Sequence, residues 1–161
     1  MNSALDIRPS PIAGLWYESD RHALSKSVDS YLDQARIPDL EGEIVGLIAP
    51  HAGHRYSGKV AGHAFAAVRG REYPLVAVIS PMHHPYFERL LTSAHQAYAT
   101  PLGMIPIDQA ALAELDRALQ KRLGYGLSAV RNDPEHSLEI ELPFLQRALC
   151  APFSLLPVMV R

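Results

Sequence analysis

The chain has a single cysteine, a small net charge and no long apolar run. Each of these absences excludes some classes of protein. Its single cysteine, Cys150, cannot form an internal disulfide, which favours a reducing compartment. The formal net charge is -2 with no run of Lys or Arg, so the sequence carries no electrostatic footprint for nucleic acid or an anionic membrane. The apolar stretches have only strand length, and Asp6 and Arg8 interrupt the N-terminal segment, so we expect neither a membrane span nor a secretion signal. These absences predict a cytoplasmic protein without nucleic-acid or membrane partners.

The composition that remains is that of an ordinary folded domain. The chain has 161 residues, of which 48% are hydrophobic and 20% charged. That length fits one domain with one sizeable core, and that mixture is not typical of disorder. We therefore expect residues 1–161 to form a single domain.

Helix and strand patterns alternate along the chain. A capping residue at Ser19 or Asp20, apolar residues at helical spacing and a following proline predict a first helix that ends at Arg36. Further helices are predicted at 59–69, at 108–122 and from Asp133 onward, and strands at 43–49, 74–80, within 85–99 and at 153–160. This alternation predicts an α/β fold with a mostly parallel central sheet flanked by helices.

Local residue choices add detail to two of these helices. The segment 59–69 is rich in small residues, so this helix is expected to lie close on the sheet. It is also expected to link two parallel strands in a right-handed strand-helix-strand unit. In the last predicted helix, Asp133 suits the N-cap, while Pro143 is expected to bend the helix or loosen its hydrogen bonds.

Histidines follow two β-branched apolar runs. His51 comes just after 44–49, and His83 and His84 come just after 75–79. Apolar runs of this kind are typical of buried parallel strands, and open α/β sheets place their ligand sites at the carboxyl ends of such strands. The sequence therefore predicts that these histidines lie near one another at one edge of the sheet.

Two such histidines suit a transition-metal site. Neutral imidazole is a common ligand for zinc, iron and copper, so His51 and His83, or His84 in its place, are candidate ligands. His136 and Glu139 are spaced to share a helix face, and each is a candidate ligand or general acid/base. The alternative is that a loop histidine simply forms structural hydrogen bonds. We keep that interpretation for the other histidines: His22, His54, His63 and His95.

Other candidate residues give weaker signals. Ser57 and Ser137 are not in a Gly-x-Ser-x-Gly elbow, so hydrolase-triad chemistry is disfavoured. Cys150 ends a leucine stripe, where a buried, inert thiol is expected. Trp16 and Tyr17 are expected to anchor the N-terminal segment or to form the wall of an aromatic pocket.

Four ordered blocks carry a resemblance to a known family. They are Gly14-x-Trp16-Tyr17, Ile48-Ala49-Pro50-His51-Ala52-Gly53-x-x-Tyr56-Ser57-Gly58, Ser80-Pro81-x-His83-His84 and Glu135-His136-Ser137-Leu138-Glu139-x-x-Leu142-Pro143-Phe144-Leu145. Together they cover nearly the whole chain and resemble the Memo-like family, whose bacterial and archaeal members are called AmmeMemoRadiSam system protein B. The resemblance implies a fold like that of the class III non-haem iron extradiol dioxygenases.

The same resemblance implies roles for individual residues. It assigns two metal ligands to His51 and His83, and it places His84, His136 and Glu139 in the same cleft as catalytic candidates. The family's third ligand is a cysteine far downstream, in a C-terminal half that this chain lacks, and Cys150 does not match it. The chain is thus expected to correspond to the N-terminal portion of a longer fold.

Two functions follow as alternatives. The first is an iron- or copper-dependent oxidoreductase of dioxygenase type, with zinc as a further option for the metal. The second is a non-catalytic binding or scaffolding protein that takes a small molecule or a peptide in the same cleft. In both cases, a last strand at a sheet edge is expected to make the protein a homo-oligomer or dependent on another chain.

Overall fold

The computed structural model describes residues 5–161, which form four helices and two sheets. The helices are α1 (Arg21–Asp33), α2 (His54–Ala66), α3 (Gln109–Leu123) and α4 (Leu142–Ala148). The strands are β1 (Ile7–Arg8), β2 (Leu75–Pro81), β3 (Leu90–Ser93), β4 (Ala97–Thr100), β5 (Gly103–Pro106), β6 (Ser128–Val130) and β7 (Ser154–Val160). A single 3-10 turn, Glu139–Glu141, leads into α4. Among residues 5–161, no helix is both long and apolar enough to cross a membrane.

Side-chain caps define the starts of two helices. Asp20 accepts a hydrogen bond from the Ala23 amide at the start of α1, and Asp108 accepts one from the Ala111 amide at the start of α3. Gly124, at φ +79°, ends α3 in the left-handed conformation that glycine adopts most readily. The predicted helix that ends at Arg36 and the predicted helix at 108–122 are therefore confirmed as α1 and α3, within a few residues at their ends.

The main sheet has the strand order β2-β7-β3-β6. β7 runs parallel to β2 and antiparallel to β3, and β3 runs parallel to β6. A smaller sheet has the order β1-β4-β5. The predicted α/β class, with a mostly parallel sheet flanked by helices, is confirmed. The expectation that the last strand lies at an edge is wrong, because β7 lies inside the sheet and the edge strands are β2 and β6.

The core joins the helices to the buried face of the main sheet. Leu24 and Val28 of α1, Phe65 of α2, Phe144 of α4 and Leu155 of β7 all belong to it. Phe65 and Phe144 stack with ring centroids 5.2 Å apart. This packing holds α2 and α4 against each other, and the segments just before both helices carry the candidate site.

The strand predicted over 43–49 is wrong. Residues 44–49 take no regular secondary structure, and Val45 and Ile48 are 95% and 98% exposed. The segment flanks β2 across a cavity and does not pair with it. An apolar, β-branched pattern makes a strand only when a neighbour supplies backbone partners, and none does within residues 5–161. The predicted strand-helix-strand unit is therefore absent from this part of the chain.

The helix predicted from Asp133 is also wrong, because α4 begins nine residues later. The Asp133 carboxylate accepts a hydrogen bond from Arg8, and the Glu135 carboxylate accepts one from His83. Asp133 therefore does not cap a helix. Pro143 lies in the first turn of α4, where its missing N–H costs no hydrogen bond, and it therefore starts this helix instead of bending it.

The small residues of α2 pack against a helix and not against the sheet. A Cβ added at Gly62 would lie 2.6 Å from the Tyr31 carbonyl oxygen, and one at Gly58 would lie 2.6 Å from the Tyr31 ring. The two glycines let α1 approach α2 closely. The prediction that these residues let the helix lie close on the sheet is wrong, because their partner is α1.

Candidate metal centre

Three histidines from distant parts of the chain meet beside the carboxyl end of β2. His51 lies in the loop before α2, His83 follows β2, and His136 precedes the 3-10 turn. The ring centroid of His83 lies 5.3 Å from that of His51 and 4.7 Å from that of His136, and His51 lies 6.1 Å from His136. The structure thus brings together His51 and His83, the two residues predicted as ligands, and adds His136 beside them.

The candidate donor atoms also converge. One potential ligand atom each from His83, Glu135 and His136 lie within 4.8 Å of one another. Glu135 is buried and His83 is exposed, so the group forms at the boundary between the core and solvent. A metal ion at this boundary would have protein ligands on one side and open positions on the other.

Glu135 fixes the orientation of His83. Its carboxylate accepts hydrogen bonds from His83 Nδ1 at 3.0 Å and from the His83 backbone amide at 2.6 Å. Because an ionised carboxylate only accepts, Nδ1 carries a proton, and in the neutral ring the lone pair is on Nε2. A histidine ligand whose other ring nitrogen bonds a carboxylate is the usual arrangement at protein metal sites.

The hydrogen bonds to Glu135 also keep its carboxylate ionised. Burial raises the pKa of this carboxyl, but hydrogen bonds from His83 and from Ser137 outweigh burial and lower the pKa to about 2. The amides of His136 and Ser137 donate to the same oxygen, each at 2.9 Å. Glu135 is thus an anion over the whole physiological pH range, held beside His83 by the backbone.

The surroundings of His136 lower its pKa and so favour the neutral ring. Burial lowers its pKa, the Glu135 carboxylate opposes that effect, and any positive charge on the neighbouring imidazoles lowers the pKa further. The Trp16 ring packs on it, with centroids 4.1 Å apart. Neutral imidazole is the form that binds metals and accepts protons. Trp16 therefore forms a wall of the site, one of the two roles predicted for it.

Glu139 lies in a buried ion pair. Its Oε2 accepts a hydrogen bond from Arg8 at 2.8 Å, and its Oε1 accepts one from the Tyr17 hydroxyl at 2.7 Å. Burial raises its pKa, and the bonds from Tyr17 and Arg8 oppose that effect. The structure therefore separates Glu139 from the solvent-facing side of the centre, and its catalytic role stays a prediction.

Arg8 joins the N-terminal strand to the segment that carries His136. Besides Glu139, it binds the Asp133 carboxylate at 3.0 Å and the Glu135 carbonyl oxygen at 2.7 Å. The side chain is only 2% exposed. Removing one partner of such a buried pair typically costs about 3–5 kcal/mol, because a charge is left without compensation. Arg8 thus holds residues 133–139 in place beneath the centre.

The remaining histidines contribute less to the centre. His84 is half-buried beside His83, and its catalytic role stays a prediction. His54 Nε2–H donates to the Ile140 carbonyl oxygen, and His95 Nδ1 lies 2.8 Å from Asp6. These bonds agree with the structural interpretation of His54 and His95. His63 likewise bonds its own helix, at the Lys59 carbonyl oxygen.

Sequence reasoning missed the roles of Glu135 and Arg8. Glu135 precedes His136 directly and was a detectable signal, but Asp133 and Pro134 beside it suggested a helix start instead. Arg8 gave no local signal, because its partners lie more than 120 residues away. Cys150 was expected to be buried, and the structure shows it exposed.

The donor set fits a transition metal better than a hard cation. Its side chains offer imidazole nitrogens, which suit zinc, copper and iron, whereas magnesium and calcium prefer oxygen ligands. His51 and His83, the predicted ligand pair, have ring planes inclined by 49°. A metal lies in the plane of each imidazole that binds it, and the ring planes of His83 and His136 are only 16° apart.

Comparison with known proteins supports one family. The Memo-like protein family model matches residues 8–161. The chain is 31% identical to Protein MEMO1 of Danio rerio over 99% of its own length and 53% of that protein. MEMO1 family proteins of Nitrosopumilus maritimus and Pyrobaculum aerophilum are 28% and 33% identical, over 96% and 87% of this chain and 57% and 51% of theirs. The chain spans about half the length of these curated relatives. With its four motif blocks and its histidine centre inside the matched region, the chain belongs to the Memo-like family.

Proposed function

We propose that this protein binds iron or copper at His51 and His83 and uses it for dioxygenase-type oxidation of a small substrate. The observation that carries the proposal is the meeting of His51, His83 and His136, with His83 oriented by the buried Glu135 carboxylate. An arrangement that leaves His83 Nε2 free and faces solvent suits an ion with open coordination positions.

The protein residues have separable roles in this proposal. Bound iron or copper would supply the redox chemistry and activate dioxygen. His136, whose pKa is lowered and whose ring stacks on His83, accepts or releases a proton beside the ion. Trp16 shields His136 from solvent on one side. Glu135 and, beneath it, Arg8 position His83 and His136, while a third, anionic ligand comes from outside residues 5–161.

Metal analysis tests the proposal. Wild-type protein purified without chelator is expected to hold about one metal ion per chain, and the double variant His51→Ala/His83→Ala is expected to hold almost none. His22→Ala is the matched control, because His22 is exposed on α1. With iron(II) added, an oxygen electrode is expected to show faster dioxygen consumption by the wild type than by the double variant. Equal metal content in the two proteins would contradict the proposal.

A non-catalytic binding function is the second candidate. A cavity of about 420 Å³ adjoins the centre, is lined by His51 and runs along apolar residues of 44–49 and β2. A cleft of this size and polarity suits a small molecule or peptide. If binding alone is the function, native mass spectrometry would find the same ligand retained after complete removal of metal by a chelator.

A further inference from the structure

The cavity beside the centre lies between two extended pieces of backbone. Residues 44–49 form one wall, β2 forms the other, and the volume between them is about 420 Å³. Ile44, Leu47, Val76 and Val78 contribute apolar side chains to its lining. The cavity is therefore a long apolar slot whose two sides are chain segments of strand-like composition.

Both walls of the slot have unpaired backbone. Within residues 5–161, β2 pairs only with β7, so the opposite edge of β2 is open. The same part of the chain offers residues 44–49 no backbone–backbone hydrogen bond. Open strand edges are templates for pairing with another strand, and backbone groups removed from water are nearly always paired in native proteins.

One face of β2 is also uncovered. Leu75, Ala77 and Ile79 alternate along the strand on one face, and all three are exposed, Ile79 by 72%. A strand that is apolar on both faces and parallel to its neighbour normally has both faces buried. Val45 and Ile48 extend the apolar surface on the other side of the slot. The slot and its rim thus have the composition of an interior that is open to water.

A buried acid without a partner lines the same slot. Glu141 is only 7% exposed, and neither of its carboxylate oxygens has a hydrogen-bond partner within residues 5–161. Ser80 Oγ, also buried on the lining, has none either. A buried carboxylate is costly unless it is paired, so this pattern calls for a cationic donor that enters from the slot.

We propose that the slot receives an extended, apolar β-strand that carries a Lys or Arg for Glu141, and that this strand comes from polypeptide equivalent to the part of the relatives that the chain does not span. The inserted strand would pair with β2 on one side and with residues 44–49 on the other. This proposal goes beyond the proposed function and does not depend on any metal.

Two observations favour a strand of that origin over other occupants. An apolar small molecule would fill the slot but leave the backbone of β2 and 44–49 unpaired, whereas strand addition satisfies both edges. The chain spans only 53% of the Danio rerio relative while matching it over 99% of its own length. Polypeptide of comparable size therefore exists in the relatives to supply both a strand and a cover for β2.

Co-production of two polypeptides tests the proposal. The tagged 161-residue chain is produced in one host with the unmatched part of the Danio rerio relative, and the tag is used to recover any complex. The pair formed by the two parts of the Danio rerio protein serves as the positive control. We expect a one-to-one complex in which amide exchange of 44–49 and β2 slows at least tenfold relative to the chain alone.

Variants of the chain distinguish insertion of a strand in the slot from nonspecific association. Ile79→Lys and Glu141→Gln are expected to lower recovery of the partner at least fivefold, because they place a charge on the uncovered face or remove the counter-charge. Met104→Lys is the matched control, because Met104, like Ile79, is an exposed apolar residue but lies on β5, away from the slot. It is expected to leave recovery unchanged.

Three results would overturn the proposal. The first is failure to recover the partner when the two Danio rerio parts do associate. The second is a complex that protects neither 44–49 nor β2 from exchange. The third is protection of both segments in the chain alone, either with a doubled mass in light scattering or with a small molecule found by native mass spectrometry. The metal-content experiment reads a different site, so either proposal can fail without the other.

Discussion

Glu135 shows how one buried side chain determines the properties of an exposed one. It binds both the ring and the backbone of His83, and its own charge is maintained by the amides of His136 and Ser137. The imidazole that faces solvent is therefore fixed in tautomer and direction by a buried carboxylate. In metal sites, loss of such a partner typically lowers metal affinity about 10–100-fold.

Glu135→Gln is accordingly expected to weaken copper or iron binding by about one to two orders of magnitude. The amide keeps the volume of the side chain but replaces one acceptor oxygen with a donor, so it cannot accept from both His83 groups. Competition with a chelator of known affinity measures the change. Glu141→Gln is the matched control, as a second buried glutamate without contacts to the centre. Unchanged metal affinity in Glu135→Gln would show that Glu135 does not support metal binding by His83.

Glu141 gives a pH-dependent prediction. Burial raises its pKa from 4.5 to about 8, so between these values the folded chain holds a proton that the unfolded chain releases. Its contribution to stability is therefore complete below pH 4.5 and is lost as the pH rises towards 8. Since one pKa unit corresponds to about 1.4 kcal/mol, the loss is on the order of several kcal/mol.

The Glu141→Gln variant is expected to lack this loss. Urea unfolding of the two proteins at pH 5 and at pH 8.5 measures it: the wild type should lose more free energy of unfolding between the two pH values than the variant. Groups such as Glu135, whose pKa is lowered to about 2, change stability only at more acidic pH and do not obscure the comparison. Parallel pH profiles would show that Glu141 is ionised and paired in the isolated chain.

At the scale of elements, the contact between α1 and α2 depends on Gly62, which has no side chain. A Cβ at Gly62 would meet the Tyr31 carbonyl oxygen at 2.6 Å, and backbone cannot move aside easily. Alanine normally stabilises a helix by about 1 kcal/mol relative to glycine. Here the overlap outweighs that preference, and Gly62→Ala is expected to destabilise the chain by about 1–3 kcal/mol.

Chemical unfolding of Gly62→Ala against Gly46→Ala tests this interpretation. An added Cβ at Gly46 meets no atom within 4 Å, so that variant should be within about 0.5 kcal/mol of the wild type. A Gly62→Ala variant more stable than the wild type would mean that α1 and α2 do not approach as described. Because His51 lies just before α2, the same variant is expected to weaken metal binding as well.

Elements defined by local chemistry were predictable from sequence, and elements defined by distant partners were not. The caps Asp20 and Asp108 act within their own helices, so the sequence located α1 and α3 closely. Asp133 has the same local signature, but Arg8, 125 residues away, takes its carboxylate. The segment 44–49 has a strand's composition and lacks a strand's partners, which no local pattern reveals.

At the scale of the whole molecule, stability is expected to decrease from β7 outwards. β7 pairs on both sides and packs in the core, whereas 44–49 makes no backbone–backbone hydrogen bond within residues 5–161. Amide exchange reports the free energy of local opening. In the isolated chain, β7 is expected to exchange slowest and 44–49 near the rate of an unfolded peptide. Equal protection of the two segments would contradict this order.

The candidate site was more predictable than the fold around it. His51, His83 and His136 were identifiable because each lies in a dense motif block, and the family resemblance linked blocks that are far apart in sequence. The orientation of His83 by Glu135 and the placing of Glu139 in an ion pair with Arg8 depend on the folded chain. The edge position of β2 depends on strand order, which pattern alone does not determine.

Pulsed electron paramagnetic resonance of the copper(II)-loaded chain tests the central claim most directly, because it detects the remote nitrogen of each coordinated imidazole. We predict one copper ion per chain, coordinated by the imidazoles of His51 and His83. These imidazole signals should be lost in His51→Ala/His83→Ala and kept in His22→Ala. Imidazole signals of unchanged intensity in the double variant would contradict the assignment of this centre.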